Sequence, residues 1–299
     1  MAILIDPPAW PAHGTYFSHL VSDESLAELH EFAAAAGVPE RAFDEDHYDV
    51  PERRFADLVA RGAEPVDGGT LVRRLIASGL RVRARERSGA LAGPLLRRWT
   101  ALLPEAADTG AELLDRWAEP HRRYHNRAHL LAVLEALDAL GNTHAAPHGR
   151  TVELAAWFHD AVYAGRAGED EEASASLAED LLGRAGHDPV ATREVARLVR
   201  LTAGHRPGRD DLPGALLCDA DLSVLGRDSH GYRRYQRAVR AEYAHVAEQD
   251  FLRGRTAVVE HLLGLDPLFH TSAARALWLE PAMRNLAAEH ADLRRRLEG

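Results

Sequence analysis

The stretch VELAAWFHD, residues 152–160, is an apolar helical segment that ends in an adjacent histidine and aspartate. The imidazole of His159 and the carboxylate of Asp160 therefore enter where the neighbouring side chains become buried. A buried carboxylate needs a cation or several hydrogen-bond donors, because an isolated charge is costly to remove from water. The stretch indicates either a metal site at the end of a core helix or a solvent-exposed pair at a helix end.

A second stretch, YHNRAH at residues 124–129, precedes an apolar helix and carries two histidines. If the helix includes both, His125 and His129 lie about 6 Å apart along one face, a spacing that can chelate one ion. A histidine at a helix start can equally serve as a cap or a packing group. This stretch alone does not decide between the two.

Two aspartates interrupt the apolar run LLCDADLSVL, residues 216–225. Helical positions two residues apart face nearly opposite sides, so one ion should contact only one of Asp219 and Asp221. The other carboxylate can orient a ligand histidine or contact a second ion. His205 follows a further apolar segment and is a possible additional ligand, although a single histidine is more often structural.

The composition of the 299 residues is that of a globular protein, with 46% hydrophobic and 27% charged residues. A net charge of -10 without a basic face argues against a dedicated nucleic-acid surface. The single Cys218 excludes an internal disulfide and fits a reducing compartment. We find no signal peptide and no run of about 20 apolar residues, so we expect a cytoplasmic protein without a membrane segment.

The pattern predicts an α+β protein with two domains. Residues 1–85 form a small α/β domain, residues 86–93 a linker, and residues 94–299 an all-α domain. In the second domain, apolar residues recur at helical spacing near residues 95–118, 127–140, 151–163, 169–184, 189–203, 228–249, 250–263 and 273–297.

The order of these motifs resembles the HD superfamily of metal-dependent phosphohydrolases. The resemblance rests on YHNRAH, HDAVY, EEASA and DADL and covers roughly residues 94–275. It implies an all-helical fold in which four residues hold a divalent metal, with Asp221 as the aspartate that follows Ala220. The implied ligands are His129, His159, Asp160 and Asp221, and the possible additional ligands are His125, His205 and Asp219.

The resemblance also implies hydrolysis of a phosphate ester or phosphoanhydride of a nucleotide or small phosphorylated metabolite by a metal-activated water. Histidine and carboxylate ligands favour Mn, with Co, Ni, Fe, Zn or Mg as alternatives. Arg122 and Arg123 are candidates for phosphate contacts. Glu171 or Glu172 is the candidate base, unless this acidic run only favours a helix N-terminus. Two rival functions are a metal-stabilised nucleotide-binding or regulatory module and a di-iron oxygenase.

The N-terminal stretches ILIDPPAW and DHYDVP resemble a small uncharacterised bacterial domain family over about residues 1–80. The resemblance implies no activity. Several polar residues here could form a second site, or they could serve only in turns, helix caps and a loop at residues 46–49. These residues are Asp6, His13, His19, Asp23, His47 and Asp49.

Overall fold

The computed structural model describes residues 2–78, 80–81 and 88–298, with only the backbone of residues 88 and 89. The chain forms two units, Met1–Arg87 and Ser88–Gly299. A mixed sheet lies in the first unit and the second is helical, which confirms the predicted α+β class. Within the described ranges, every helix is too short or too polar to cross a lipid bilayer.

The sheet of the first unit has the strand order β4-β5-β3-β1-β6, and β2 pairs with the beginning of β3. The β1–β6 pair is parallel and the other pairs are antiparallel. The strands are β1 Ile3–Ile5, β2 Trp10–Ala12, β3 Thr15–Ser22, β4 Phe43–Asp44, β5 His47–Pro51 and β6 Glu64–Pro65. The prediction of a possible loop at residues 46–49 is therefore wrong, because residues 47–49 belong to a paired strand.

Helices cover both faces of this sheet. Successive side chains of a strand point to opposite faces, so Ile5 packs in one cluster with Leu29, and Leu4 packs in another with Leu71. The helices are α1 Leu26–Ala35, α2 Phe55–Ala60 and α3 Gly68–Ser78. The N-cap of α1 is Ser25, whose side chain accepts a hydrogen bond from the Glu28 amide and so satisfies one free donor of the first turn.

The described part of the second unit, residues 88–298, is helical and contains no strand. A short π-helical segment, Arg275–Leu279, separates its last two helices. The helices are α4 Ser88–Leu102, α5 Ala107–Arg116, α6 Arg127–Ala139, α7 Gly149–Phe158, α8 Glu169–Arg184, α9 Pro189–Leu201, α10 Leu212–Asp221, α11 Ser229–Glu242, α12 Glu248–Leu263, α13 Ser272–Ala274 and α14 Glu280–Glu298.

Helix α7 lies in the main core of this unit, where residues 152–158 are all buried. Trp99 and Trp157 meet edge to face in this core, with 5.2 Å between their ring centroids. Packing is tight enough that a Cβ atom on Gly110 would lie 2.2 Å from the Trp99 ring. The burial of α7 fixes where its C-terminal end, and hence His159, is placed.

Three predicted boundaries in the second unit are corrected by the structure. Helix α4 begins at Ser88, so residues 88–93 of the predicted linker are helical, while residues 86–87 lie outside the described residues. The predicted helix 95–118 is interrupted by Pro104, where a 3₁₀ turn separates α4 from α5. Helix α10 lies outside the predicted helical segments. Its Pro213 occupies the first turn, where the missing N–H costs little.

Candidate metal centre

Three helices bring the four predicted ligands together. His129 lies in the first turn of α6, which begins after the N-cap Asn126. His159 is the C-cap of α7 and Asp160 follows it, while Asp221 is the last residue of α10. Each side chain therefore comes from a helix end, where the direction of the backbone changes and side chains of neighbouring helices can converge.

The distances among the donor atoms match those around a single ion. His129 Nε2 lies 3.1 Å from His159 Nε2 and 3.2 Å from Asp221 Oδ1. Asp160 Oδ2 lies 3.1 Å from His159 Nε2 and 3.6 Å from His129 Nε2. Atoms held about 2.1 Å from one ion would be ~3.0 Å apart in octahedral and ~3.4 Å apart in tetrahedral geometry. His129, His159 and Asp221 thus have the mutual spacing of a ligand set, and Asp160 lies within 3.6 Å of both histidines.

The tautomer of His159 is fixed by the backbone. Its Nδ1 lies 2.8 Å from the carbonyl oxygen of Ala156, which can only accept a hydrogen bond, so Nδ1 carries the proton. In the neutral ring, Nε2 therefore has a free lone pair, and this atom points at the other ligands. A histidine that ligates a metal commonly has its second ring nitrogen held in this way.

The carboxylates of Asp160 and Asp221 favour positive charge among the four predicted ligands. Burial opposes protonation of both histidines, yet Asp160 and Asp221 raise the pKa of His129, and raise that of His159 well above its usual value. Burial likewise opposes ionisation of both aspartates, yet His159 helps to hold their pKa values well below the usual range. A bound metal ion would be stabilised by the same two carboxylates that stabilise protons on the histidines.

The four predicted ligands differ in their exposure to solvent. The side chains of His129 and His159 are 3% and 1% exposed, whereas those of Asp160 and Asp221 are each 15% exposed. The histidines are therefore more deeply buried than the two carboxylates. A ligand that approaches from solvent meets the carboxylate side first.

His125 lies beside this set and is held by Glu242, a residue that sequence reasoning missed. The distance from His125 Nδ1 to Glu242 Oε1 is 2.6 Å, and the ring of His125 stacks on Tyr163 with 4.1 Å between centroids. Glu242 Oε2 also accepts the backbone N–H groups of residues 123–125. Although burial opposes ionisation, these donors lower the pKa of Glu242 to about 2.

The prediction that Arg122 contacts phosphate is wrong, because its side chain is buried. Its guanidinium has no exposed side-chain surface and donates hydrogen bonds to the carbonyl oxygens of His125, Asp160 and Ala161. It therefore ties the loop before α6 to the end of α7 and has no access to a substrate. The neighbouring Arg123 is exposed, and its backbone N–H is one of the donors to Glu242.

The structure gives the candidate bases Glu171 and Glu172 other roles in the first turn of α8, where Glu171 is half-buried and Glu172 is exposed. Glu171 accepts a hydrogen bond from the amide of Gly168 and so caps the helix. Glu172 forms an ion pair with Arg200, with 2.7 Å between the charged groups. These contacts support the alternative interpretation, in which the acidic run stabilises a helix N-terminus.

The two remaining candidates, Asp219 and His205, have different roles. Both carboxylate oxygens of the fully buried Asp219 accept backbone N–H groups, those of His270 and Thr271, at 2.7 Å each. The prediction of Asp219 as a possible metal ligand is therefore replaced. Its carboxylate instead holds the backbone at residues 270–271. His205 Nε2 lies 2.9 Å from Asp221 Oδ2 and is part of the site.

A cavity of about 810 Å³ adjoins His205. Its described lining includes Arg206, Arg209 and His270 but none of the four predicted ligands. His205 therefore both lines the cavity and contacts the ligand set at Asp221. Its volume falls within the range of ordinary small-molecule sites.

The comparisons with known proteins concern the first unit only. Residues 3–78 match the model of a family described as a protein of unknown function (DUF4031), in agreement with the predicted resemblance of the N-terminal region. The match covers about a quarter of the chain. No curated protein and no solved structure matches the chain.

Proposed function

We propose that the second unit is a metal-dependent phosphohydrolase that cleaves a phosphate ester or phosphoanhydride of a nucleotide or another small phosphorylated metabolite. The observation that carries this proposal is the spacing of 3.1–3.6 Å between the histidine nitrogens and carboxylate oxygens of four residues from three helices. The order of the motifs, which resembles the HD superfamily, supports the same assignment.

The donor set fits a first-row divalent ion, because imidazole and carboxylate ligands without thiolate suit such ions. His129, His159, Asp160 and Asp221 would hold it, and Mn is the preferred ion. A bound divalent ion supplies Lewis-acid activation of water and positive charge for a phosphoryl group. Asp219 is already bonded to two backbone amides, which favours one ion over two.

His125 and Glu242 are the residues for proton transfer. Because a carboxylate accepts the hydrogen bond from His125 Nδ1, the Nε2 atom of the neutral ring is free to accept a proton from water or to return one to a leaving group. The ring of His125 lies near the ligand set, with 5.6 Å between its centroid and that of the His129 ring. This pair takes the role that the sequence assigned to Glu171 or Glu172.

Arg206 and Arg209 are the proposed phosphate contacts in place of Arg122. Both are exposed residues on the lining of the cavity next to His205. A guanidinium can donate two parallel hydrogen bonds to phosphate oxygens, so either side chain could orient a phosphorylated substrate. A nucleotide-sized molecule fits the volume of the cavity.

Release of phosphate or pyrophosphate from a panel of nucleotides and phosphorylated metabolites tests the proposal. Metal-stripped full-length protein receives Mn, Co, Ni, Fe, Zn or Mg, and Asp160→Ala is compared with the matched surface variant Glu172→Gln. We expect activity that returns with metal, is lost in Asp160→Ala and persists in Glu172→Gln. Tight nucleotide binding without release would instead support a binding module, and iron-dependent oxygen consumption would support an oxygenase.

A further inference from the structure

The sheet of the first unit brings two histidines and three aspartates to one place. Along β5, the alternation of side chains puts His47 and Asp49 on the same face, and the antiparallel register pairs Asp49 with His19 of β3. Asp6 directly follows β1, and its amide donates to the carbonyl oxygen of His19. Asp46 precedes β5 and is fully buried.

Each of the two histidines has its Nδ1 atom held by a buried carboxylate. His19 Nδ1 lies 2.9 Å from Asp6 Oδ2, and His47 Nδ1 lies 2.7 Å from Asp46 Oδ1. The side chains of Asp6 and Asp46 are 5% and 0% exposed. The carboxylates accept these hydrogen bonds, so Nδ1 is the donor in both rings and Nε2 is available to bind. This arrangement orients histidines that ligate metals in proteins.

Both Nε2 atoms face the same oxygen. Asp49 Oδ1 lies 3.3 Å from His47 Nε2 and 3.9 Å from His19 Nε2, and one donor atom from each residue lies within 4.8 Å of the others. Among the described residues, Arg81 contacts Asp46 at 2.9 Å. A cation between the three donor atoms would interact with the Asp49 carboxylate and with both Nε2 atoms.

We propose that His19, His47 and Asp49 bind a first-row divalent transition-metal ion, with Asp6 and Asp46 as the residues that orient the histidines. Two imidazole nitrogens and one carboxylate oxygen suit such an ion better than Ca²⁺ or Mg²⁺. Three protein ligands leave coordination positions open, and His19 and Asp49 are 25% and 46% exposed at their side chains. The open positions are therefore accessible to water or to a small anionic ligand.

Two other polar residues of this unit lie outside the proposed site. His13 occupies a turn with φ of 47° and its ring contacts Phe17. Asp23 accepts a hydrogen bond from the amide of Ala2, and its Oδ2 atom accepts two from the Arg74 guanidinium. His13 is therefore a matched control for substitutions of His47, since both are histidines of the same unit.

Counting bound Co²⁺ in the untagged full-length protein by elemental analysis tests this site. We expect His47→Gln to remove one equivalent of Co²⁺ both in the wild-type chain and in an Asp160→Ala background, whereas His13→Gln removes none. Asp46→Asn should retain the equivalent and weaken its binding by 10- to 100-fold, as for other residues that orient metal-bound histidines. If the second unit proves not to be a hydrolase, the expected Co²⁺ counts for His47→Gln and His13→Gln stay the same. Both residues lie in the first unit, whereas Asp160 lies in the second.

Trp10 provides a second measurement that needs no change to a ligand. Its ring lies 5.2 Å from that of His19, so Co²⁺ at the site should quench its fluorescence at the same concentrations that fill the site. We expect Trp10→Phe to lose this component of quenching while keeping all bound Co²⁺. The inference is overturned if His47→Gln and His13→Gln bind equal Co²⁺, or if quenching is the same with and without Trp10.

Discussion

The substitution Glu242→Gln separates the fold of the second unit from its proposed proton transfer. In the wild-type protein, Glu242 Oε2 accepts three backbone N–H groups at 2.9–3.1 Å and Oε1 lies 2.6 Å from His125 Nδ1. The glutamine oxygen can replace Oε2 and keep the three backbone donors. Its NH₂ group then faces His125 Nδ1, which has to become an acceptor. The proton of the neutral ring moves to Nε2, which can no longer accept one.

The cost in stability should be moderate. A hydrogen bond to a charged group contributes about 1 kcal/mol more than a neutral one, so four such bonds set an upper limit of about 4 kcal/mol. Relief of burying the carboxylate charge acts in the opposite direction, and we expect a loss of about 2–3 kcal/mol in the free energy of unfolding. Loss of a positioned acid or base typically reduces rates by 10²–10⁴-fold, and we expect a fall of this size with unchanged metal content.

Glu153→Gln is the matched control, because Glu153 is also a buried glutamate held by an arginine and a histidine. It contacts Arg98 and His144, each at 2.7 Å, and it does not contact His125. Urea unfolding gives the stability of each variant, elemental analysis the metal, and phosphate release the rate per folded molecule. The ¹⁵N shifts of the His125 ring report its tautomer. Equal rates in the two variants, with the His125 tautomer reversed in Glu242→Gln, would refute the role of this pair.

Three further substitutions test the packing, the ligand choice and the charge of the second unit. Gly110→Ala should lower the unfolding free energy by about 1–3 kcal/mol because its Cβ would overlap Trp99; an unchanged calorimetric melting temperature would contradict this. Asp219→Ala leaves two backbone N–H groups without acceptors and should cost about 2–4 kcal/mol while retaining the metal; metal loss equal to that in Asp160→Ala would show that Asp219 is a ligand. The hydrogen bond from Arg197 lowers the pKa of Asp211 in the folded state, so its contribution to stability is present above the unfolded pKa and is lost as the pH falls through the folded pKa. Between pH 5 and 3, the free energy of unfolding in urea should therefore fall less for Asp211→Asn than for the wild-type protein. Equal decreases in the two proteins would contradict the role of the Arg197–Asp211 contact.

The candidate ligands could be predicted from the sequence because each one is marked by its neighbours. The apolar residues before His159 indicated burial, and burial made an adjacent aspartate chemically significant. The choice between Asp219 and Asp221 depended on the family resemblance, and the structure gives its physical basis. Asp219 faces two backbone amides, whereas Asp221 faces the histidines.

Other features depend on contacts between residues far apart in the sequence. Glu242 lies 117 residues from His125 and ends an arginine-rich helix, so its neighbours gave no sign of its role. The burial of Arg122 results from three carbonyl groups that the fold brings to it. Strand β5 was missed because Asp49 and the final Pro51 resemble a turn, although both lie in a paired strand. Local propensity could not show these arrangements, since tertiary contacts decided them.

The partner of histidine Nδ1 distinguishes the two proposed metal sites from ordinary histidine contacts. A spacing such as that of His125 and His129 shows only that two rings can approach one point. His47 and His159 have Nδ1 bonded to an acceptor and Nε2 directed at other donor atoms. In His144, by contrast, Nε2 itself is bonded to Glu153, so the nitrogen that would bind a metal is already used. A fixed Nδ1 with converging Nε2 atoms is therefore stronger evidence for a metal than spacing in the sequence, and it is present in both units.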